Sequence, residues 1–253
     1  MVVLHALMAY PLGIKQFIKP IHMKAFITLL PVVALIGCSN PADSVPKANV
    51  SSSTNSAAET AKKAPESEGR FYAFGPDASS VDFIGSKVTG SHKGGFRKFA
   101  GELRAVNGQL ADSGQKVVID IGSIYTDTDR LTGHLKSPDF FNAAQFPTAT
   151  FVTASIARKG TNSVVTGDLT LHGVTKQISF PAKIDVSENG VDLTADFAIN
   201  RFDFEIKYPG KANDLVRKEV VLKLKIKAAP GRADFKSIDV QKQASTAKTI
   251  RPV

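Results

Sequence analysis

Apolar and polar residues alternate with a period of two along much of residues 70–229. In residues 220–228 one set of alternate positions is wholly apolar, and the other set contains three lysines. Residues 191–199 repeat this alternation, with Asp and Thr among the polar positions. The pattern is typical of β-strands that bury one face and leave the other in water.

The apolar phase shifts by one residue at Asn200-Arg201, after which Phe202, Phe204 and Ile206 carry the pattern. A shift of one residue moves every following side chain to the other face of a strand, so we predict a bulge or a strand break at this point. Further strands are predicted at residues 81–83, 99–105, 117–124, 149–157, 164–171 and 177–186.

Five dipeptides that end in glycine separate these segments and predict turns: Asn107-Gly108, Ser113-Gly114, Lys159-Gly160, His172-Gly173 and Asn189-Gly190. About eight strands at this spacing favour an all-β antiparallel barrel or sandwich. Residues 128–142 differ, because Thr128 is a helix N-cap and Ser137-Pro138 is typical of a second helical start. We expect this short helical segment to place Leu131, Leu135, Phe140 and Phe141 against the barrel.

Residues 25–37 contain no charge and are too short to span a bilayer, which takes about 20 residues. With Met23-Lys24 before them they have the layout of a secretory signal, so residues 1–37 are interpreted as a signal region. Met23 is the favoured translation start, and the alternative is a signal peptide with an unusually long n-region that begins at Met1. Leu35-Ile36-Gly37-Cys38 resembles the lipobox of bacterial lipoproteins, which makes Cys38 the candidate lipidation site. A chance cysteine at the end of an ordinary signal peptide is the other interpretation.

Residues 38–69 are rich in Ser, Ala, Thr and Lys, with Val45 and Val50 as the larger aliphatic residues. Such a segment buries too little apolar surface to fold, so it is predicted to be a flexible, lipid-anchored linker with ends about 30 Å apart. Ser39 after the cysteine favours the outer membrane, facing the periplasm, by resemblance to sorted lipoproteins. Residues 230–253 are predicted to be a frayed polar tail.

The net charge of +9 and the pI near 9.6 would suit a nucleic-acid partner. The excess lies mainly at the chain ends, however, because residues 70–229 hold 21 basic and 17 acidic residues. This distribution argues against nucleic acid. A single cysteine excludes a disulfide framework and a cysteine-cluster zinc site within one chain.

Several motifs in order resemble the YceI-like family of lipid- and polyisoprenoid-binding proteins. They are Ser80-Val81-Asp82-Phe83, Phe96-Arg97-Lys98-Phe99-Ala100-Gly101, residues 127–141 (DTDRLTGHLKSPDFF), Phe146-Pro147, residues 167–176 (GDLTLHGVTK) and Asn200-Arg201-Phe202-Asp203-Phe204. The resemblance covers residues 70–229. Glu205 departs from it, because the family usually has glycine there.

The resemblance implies a lipocalin-like barrel that holds an isoprenoid chain in an internal tunnel, with no catalysis and no cofactor other than such a lipid. An eight-stranded barrel is of a size that encloses one small ligand. No nucleophile-elbow, P-loop or His-Glu-Xaa-Xaa-His motif occurs in the sequence. His92, His134 and His172 are too far apart for a short metal-ligand motif, so no metal site is predicted.

The tunnel-lining candidates are the apolar residues expected to face inward: Phe83, Phe99, Ile119, Ile121, Leu135, Phe140, Phe151, Leu169, Leu171, Phe180, Phe197, Ile199, Leu222 and Leu224. Each would equally suit a solid core. The candidates for contacting a polar head group are His92, Arg97, His134 and Arg201.

The leading hypothesis is a non-enzymatic, lipid-anchored periplasmic carrier or sequestering protein for an isoprenoid amphiphile, either a quinone or a polyprenyl phosphate. A binding module for a fatty acid or amide is the first alternative. An envelope interaction lipoprotein with a closed, ligand-free barrel is the second. The sequence leaves the oligomeric state open.

Overall fold

The computed structural model describes residues 40–52, 69–159 and 162–238. Its strands are β1 (Asn49–Ser52), β2 (Arg70–Phe74), β3 (Ser80–Lys87), β4 (Gly90–Phe96), β5 (Phe99–Val106), β6 (Gln109–Leu110), β7 (Lys116–Asp120), β8 (Ile124–Thr126), β9 (Thr148–Lys159), β10 (Asn162–Leu171), β11 (Val174–Val186), β12 (Val191–Asn200), β13 (Gly210–Lys211) and β14 (Asp214–Pro230). The α-helix is α1 (Asp129–Lys136). The 3₁₀ helices are Pro41–Ser44, Ile121–Ser123, Arg201–Phe204 and Phe235–Ile238.

Eight of these strands close an antiparallel barrel in the order β11, β10, β9, β7, β5, β2, β14, β12 and back to β11. β14 pairs with β12 along one edge. Along its other edge it pairs first with β3 and then, at Ala229 and Pro230, with β2. β4 and β8 continue the sheet outward from β3. The predicted all-β, eight-stranded antiparallel barrel is confirmed.

The predicted alternation along β12 and β14 sets the two faces of this wall. Leu222 pairs with Phe197, and both side chains face the apolar interior. On the outer face Lys223 pairs with Asp196 at 2.9 Å, and Lys227 lies 3.3 Å from Asp192. Opposite charges across neighbouring strands add to the pairing, but each exposed pair contributes less than about 1 kcal/mol. Burial of the inner face therefore dominates.

The predicted strand break after Asn200 is confirmed. β12 ends there, and the Asn200 side chain accepts a hydrogen bond from the Phe202 amide at 3.1 Å, which starts the 3₁₀ helix. Glu205 then ends this helix with φ +60°, the left-handed conformation that glycine adopts most easily. This conformation explains why glycine is usual at this position in the family that the sequence motifs resemble. The carboxylate of Glu205 forms an exposed ion pair with Lys207.

The predicted helical segment is present but shorter than residues 128–142. α1 begins after Thr128, whose hydroxyl accepts a hydrogen bond from the Leu131 amide, and it ends at Lys136. A turn then places Phe140 beside Leu135 in a second apolar cluster. No helix within the described residues is long and apolar enough to cross a membrane.

Residues 117–124 do not form the single strand predicted. The 3₁₀ helix Ile121–Ser123 separates β7 from β8. The Ile121 amide still donates to the Pro147 carbonyl at 2.9 Å, in register with the β7–β9 ladder, but proline has no N–H to donate in return, and the ladder ends there. The prediction also missed β2 and β4. The sequence GSHKGGF of β4 carries almost no apolar alternation, so its strand character comes from pairing with β3.

The flexible linker predicted for residues 38–69 is wrong for residues 40–52. Ala42 is 1% exposed and packs against Ala198 and Val221. β1 pairs with β11, while the Ala48 amide donates to the Ala198 carbonyl of β12 at 2.8 Å. The segment thus fills a gap between β11 and β12 mainly through backbone hydrogen bonds, which a composition argument does not detect. Residues 53–68 and Cys38 lie outside the described residues.

The frayed tail predicted for residues 230–253 is likewise wrong for residues 230–238. The Ala233 amide donates to Glu102 at 3.1 Å, and Ile238 is buried. Lys116 lies over the Phe235 ring, with 4.9 Å between the ammonium nitrogen and the ring centroid. These contacts hold the segment against β5 and β7. The remaining tail residues lie outside the described part of the chain.

Ala42→Asp should lower the free energy of unfolding by about 1–3 kcal/mol, because a carboxylate there is buried without a partner unless the segment detaches. Asn49→Asp introduces the same side chain at an exposed position of the segment and is the control. Thermal melting of both variants gives the comparison. Equal melting temperatures would show that residues 40–52 do not contribute to the folded barrel.

Candidate ligand-binding cavity

The barrel encloses a cavity of about 430 Å³, within the size range of small-molecule sites. Its lining comes from strands β2 to β7, β9 to β12 and β14, with α1 and the turn after it at one side. Thirteen of the fourteen predicted lining residues border it: Phe83, Ile119, Ile121, Leu135, Phe140, Phe151, Leu169, Leu171, Phe180, Phe197, Ile199, Leu222 and Leu224.

Phe99 is the exception. It is 2% exposed and does not border the cavity. Its ring packs instead against Phe74, with 6.4 Å between the ring centroids. Phe74 does border the cavity and was not predicted. The sequence predicted a strand at residues 99–105, but which of its side chains border the cavity depends on the shape of the barrel.

The interior is packed in some places and open in others. Phe180 stacks on Phe197 with 4.1 Å between ring centroids, and Phe151 lies 5.7 Å from Phe180. Leu222 and Leu224 belong to the same inner face, yet both remain only partly buried. Their remaining surface borders the cavity, so the barrel is not a solid core.

The polar lining residues form two groups that lie at opposite ends of β14. Lys87 pairs with Val216 near the start of β14, and His92, Arg201 and Arg217 border the cavity at the same end. We call this group the cationic end. Gln115, Lys116 and Thr153 border the cavity near β5 and β2, where β14 finishes. Within the described residues no Asp or Glu borders the cavity.

Arg201 is a buried cation held by backbone carbonyl groups. Its guanidinium donates to the carbonyls of Ile206 (2.6 Å), Tyr208 (2.6 Å), Val216 (3.2 Å) and Arg217 (3.1 Å). Burial lowers the pKa of Arg201 from its usual value. The residue borders the cavity, but most of its donors are engaged in fixing the loop after β12 and the start of β14.

Arg217 is the cavity residue that sequence reasoning missed. The register between β3 and β14 shifts between Val216 and Val220, so a bulge lies there. Val216 and Arg217, two successive residues beside this bulge, both border the cavity, although regular alternation directs only every second side chain to one face. The Nε of Arg217 is buried and has no hydrogen-bond partner. No ion pair within the described residues includes Arg201 or Arg217.

The other two basic residues of this end have acidic partners outside the cavity. His92 Nδ1 lies 2.9 Å from the Asp127 carboxylate, and this hydrogen bond lowers the pKa of Asp127. Lys87 pairs with Asp214, and the hydrogen bond from Lys87 lowers the pKa of that carboxyl group. Neither Asp127 nor Asp214 borders the cavity, so a negative group inside it would meet Lys87 and His92 without facing either acid.

Two predicted head-group residues lie elsewhere. Arg97 is exposed and its guanidinium lies 4.3 Å from the centroid of the Tyr125 ring. His134 lies 3.1 Å from the Asp139 carboxylate and packs edge-on against Phe140 and Tyr208. Neither borders the cavity. In the described part of the chain no three His, Cys, Asp or Glu side chains come together as metal ligands.

A closed antiparallel barrel of eight strands can hold one small ligand in its interior. Residues 72–228 match the model of the YceI-like domain. Since this match covers more than half of the sequence, the chain belongs to the YceI-like family, whose fold is that of a binding domain.

Relatives of known sequence include a UPF0312 protein of Vibrio parahaemolyticus, 39% identical over 92 residues, and Protein YceI of Escherichia coli, 37% identical over 91 residues. Each alignment covers 36% of this chain and about half of the relative (49% and 48%). Similar solved structures are BcnA of Burkholderia cenocepacia (TM-score 0.55, 24% identity, 60% of this chain and 96% of that one) and a polyisoprenoid binding domain from Saccharophagus degradans (TM-score 0.53, 17% identity, 65% and 100%). These two support the fold.

The two cavity arginines should differ sharply in their effect on stability. Arg201→Met leaves four backbone carbonyls without a donor, so we expect a loss of about 3 kcal/mol or more. Arg217→Met removes a buried N–H that has no partner, so stability should stay within about 0.5 kcal/mol or rise. Urea unfolding of both variants measures this. A large loss for Arg217→Met would mean that this side chain has a structural role.

Proposed function

We propose that the protein binds a long-chain isoprenoid amphiphile in the cavity of its barrel and carries or sequesters it without catalysing a reaction. The observation that carries this proposal is the apolar cavity of about 430 Å³ in the centre of the fold. It argues against the closed, ligand-free barrel. The polyisoprenoid binding domain from Saccharophagus degradans, which shares the fold, supports the choice of ligand class.

The energetics favour a ligand of several isoprene units. Burial of one five-carbon unit yields roughly 4 kcal/mol gross, at about 0.8 kcal/mol per carbon. Association costs about 4–15 kcal/mol, so one or two units would bind weakly while a longer chain would bind well. A chain held mainly by apolar burial needs few polar contacts, in agreement with a lining whose polar residues are confined to two ends.

The cationic end favours an anionic head group, and hence a polyprenyl phosphate over a quinone. Arg217 has a buried donor without a partner, and none of the described carboxylates lines the cavity to compete for it. Charge-assisted hydrogen bonds to phosphate are strong where water is excluded. A fatty acid would offer a carboxylate to the same cations and is the second candidate.

We also propose that the chain is a lipoprotein acylated at Cys38 and held at the periplasmic face of the outer membrane. The support is the signal-like layout of residues 23–38, with the one cysteine at its end. Multiple acyl chains anchor a protein firmly, whereas a single chain binds only marginally. The membrane is then both the anchor and the source of the ligand.

Leu224→Trp should abolish binding of a polyprenyl phosphate while leaving the barrel folded, because the indole would occupy open space beside β14. Lys223→Trp places the same side chain on the outer face of the strand and should bind normally. Binding is measured by thermal melting with and without ligand, since a ligand that binds the native state raises the melting temperature.

A neutral polyprenol of equal chain length separates the parts of the proposal. If the phosphate and the polyprenol both stabilise the wild type and the phosphate does so more, the isoprenoid and the anionic head are both supported. Equal shifts would leave the isoprenoid proposal standing and remove the preference for an anion. If neither compound shifts the wild type but a fatty acid does, the second candidate replaces the first.

Cys38→Ser should abolish acylation and move the protein out of the detergent-soluble membrane fraction. Intact mass spectrometry of protein purified from membranes is the measurement, because acyl chains add a defined mass. A wild-type mass without acyl groups, together with unchanged membrane partitioning of the variant, would contradict the lipoprotein proposal. Ser39→Ala is the control, since it changes a neighbouring hydroxyl without removing the thiol.

A further inference from the structure

Two exposed apolar side chains lie next to each other at one end of the barrel. Val88 is 49% exposed in the turn between β3 and β4, and Leu215 is 50% exposed at the start of β14. The Val88 amide donates to the Leu215 carbonyl at 3.1 Å, so the β3–β4 hairpin and the β13–β14 hairpin are joined at this point. Large apolar residues as exposed as these are uncommon in the described part of this protein.

The apolar pair belongs to the rim of the cationic end. Lys87, which precedes Val88, borders the cavity, and so do Val216 and Arg217, which follow Leu215. A ligand that reaches Arg217 therefore lies within one or two residues of the exposed pair along the chain. We define Lys87, Val88, Lys211, Leu215 and Lys218 as the rim.

The charge of the two hairpins is positive. Residues 87–90 and 210–218 contain four basic residues and one acidic residue, Asp214, which pairs with Lys87. Lys211 and Lys218 are exposed, and no ion pair within the described residues includes them. Each lysine near an anionic lipid surface contributes about 1 kcal/mol to binding. The rim thus combines apolar tips with unpaired cations.

The N-terminal segment approaches the same end. Ser86 Oγ donates to the side chain of Asn40 at 3.4 Å, and Ser86 precedes Val88 by two residues. Cys38 precedes Asn40 by two residues, and two residues span at most about 7 Å. If Cys38 is acylated as proposed above, the chain between it and Asn40 is too short to hold this end of the barrel far from the bilayer.

We propose that the rim docks on an anionic lipid bilayer, so that the cationic end of the cavity faces the membrane. A second protein fits the rim less well, because two apolar side chains cover far less than the roughly 1,200–2,000 Å² that stable protein interfaces bury. In this orientation the head of an amphiphile stays at the level of the lipid head groups while its chain moves between bilayer and barrel. The orientation rests on the proposed anchor for its proximity, but the rim can be tested without a cavity ligand.

The chain contains no tryptophan, so a single Leu215→Trp substitution gives a site-specific fluorescent reporter. Val152→Trp is the matched control, because Val152 is 41% exposed and pairs with Lys116, which borders the other end of the cavity. The full chain is reconstituted into vesicles of phosphatidylethanolamine and phosphatidylglycerol that contain brominated lipid. We expect a blue shift and bromine quenching for Leu215→Trp and neither effect for Val152→Trp.

Equal quenching at both positions, or none at position 215, would overturn the proposed orientation. A blue shift that depends on protein concentration and not on bromine would overturn it in favour of an interface between two copies. Quenching at position 215 without any polyprenyl binding would retain the docking surface and refute only the ligand proposal. Quenching that persists in Leu215→Trp/Cys38→Ser chains added to the vesicles would support the rim as a docking surface independently of acylation.

If the rim docks on the bilayer, it should also set the rate at which the barrel takes up ligand from a membrane. Leu215→Asp should slow transfer of polyprenyl phosphate from vesicles into the barrel about tenfold, because burial of one leucine in the bilayer is worth at least that factor. Binding of the same compound presented in detergent should be unchanged. Val152→Asp should affect neither quantity. A Leu215→Asp variant that takes up vesicle-bound ligand at the wild-type rate would refute this role of the rim.

Discussion

Backbone pairing along β14 is the interaction on which the whole barrel depends. This strand of 17 residues pairs with β12 along one edge and with β3 and then β2 along the other. The ring is completed where Ala229 pairs with Ala73 and Pro230 with Tyr72, and where the following Gly231 amide donates to the Phe71 carbonyl at 2.9 Å. Leu222, Leu224 and Ile226 of the same strand face inward and line the cavity. β14 therefore closes the barrel through its backbone and forms part of the cavity wall through its side chains.

The cationic end exists because a second set of hydrogen bonds interrupts that regular strand. Arg201 replaces ladder pairing with donors to four carbonyls, and it holds both the loop after β12 and the bulge that precedes Val220. A buried guanidinium is costly unless its donors are satisfied, and here backbone oxygens satisfy them without an acid. The bulge in turn places Arg217 at the cavity with its Nε unpaired.

The sequence predicted the features that repeat and missed those that depend on three-dimensional closure. Period-two alternation identified the inner faces of β12 and β14, and the phase shift at Asn200 located the end of β12. Alternation alone places Lys218 inward, so Arg217 was not found, because a bulge depends on a partner strand that is distant in the chain. β4 and residues 40–52 were missed for a related reason: their order comes from backbone pairing, which requires no apolar side chains.

Residues 46–52 belong to the folded barrel, although the family match begins only at residue 72. β11 pairs with β12 only through Lys183–Val186, and β1 covers residues 176–179 of β11 where the two strands diverge. A chain trimmed to residues 72–228 would leave those amide and carbonyl groups open along a sheet edge. Unpaired edges recruit strands from other molecules, so the trimmed domain would be prone to self-association. The polar stretch that was predicted to be a flexible linker thus covers a sheet edge through which the barrel could otherwise pair with a second copy of itself.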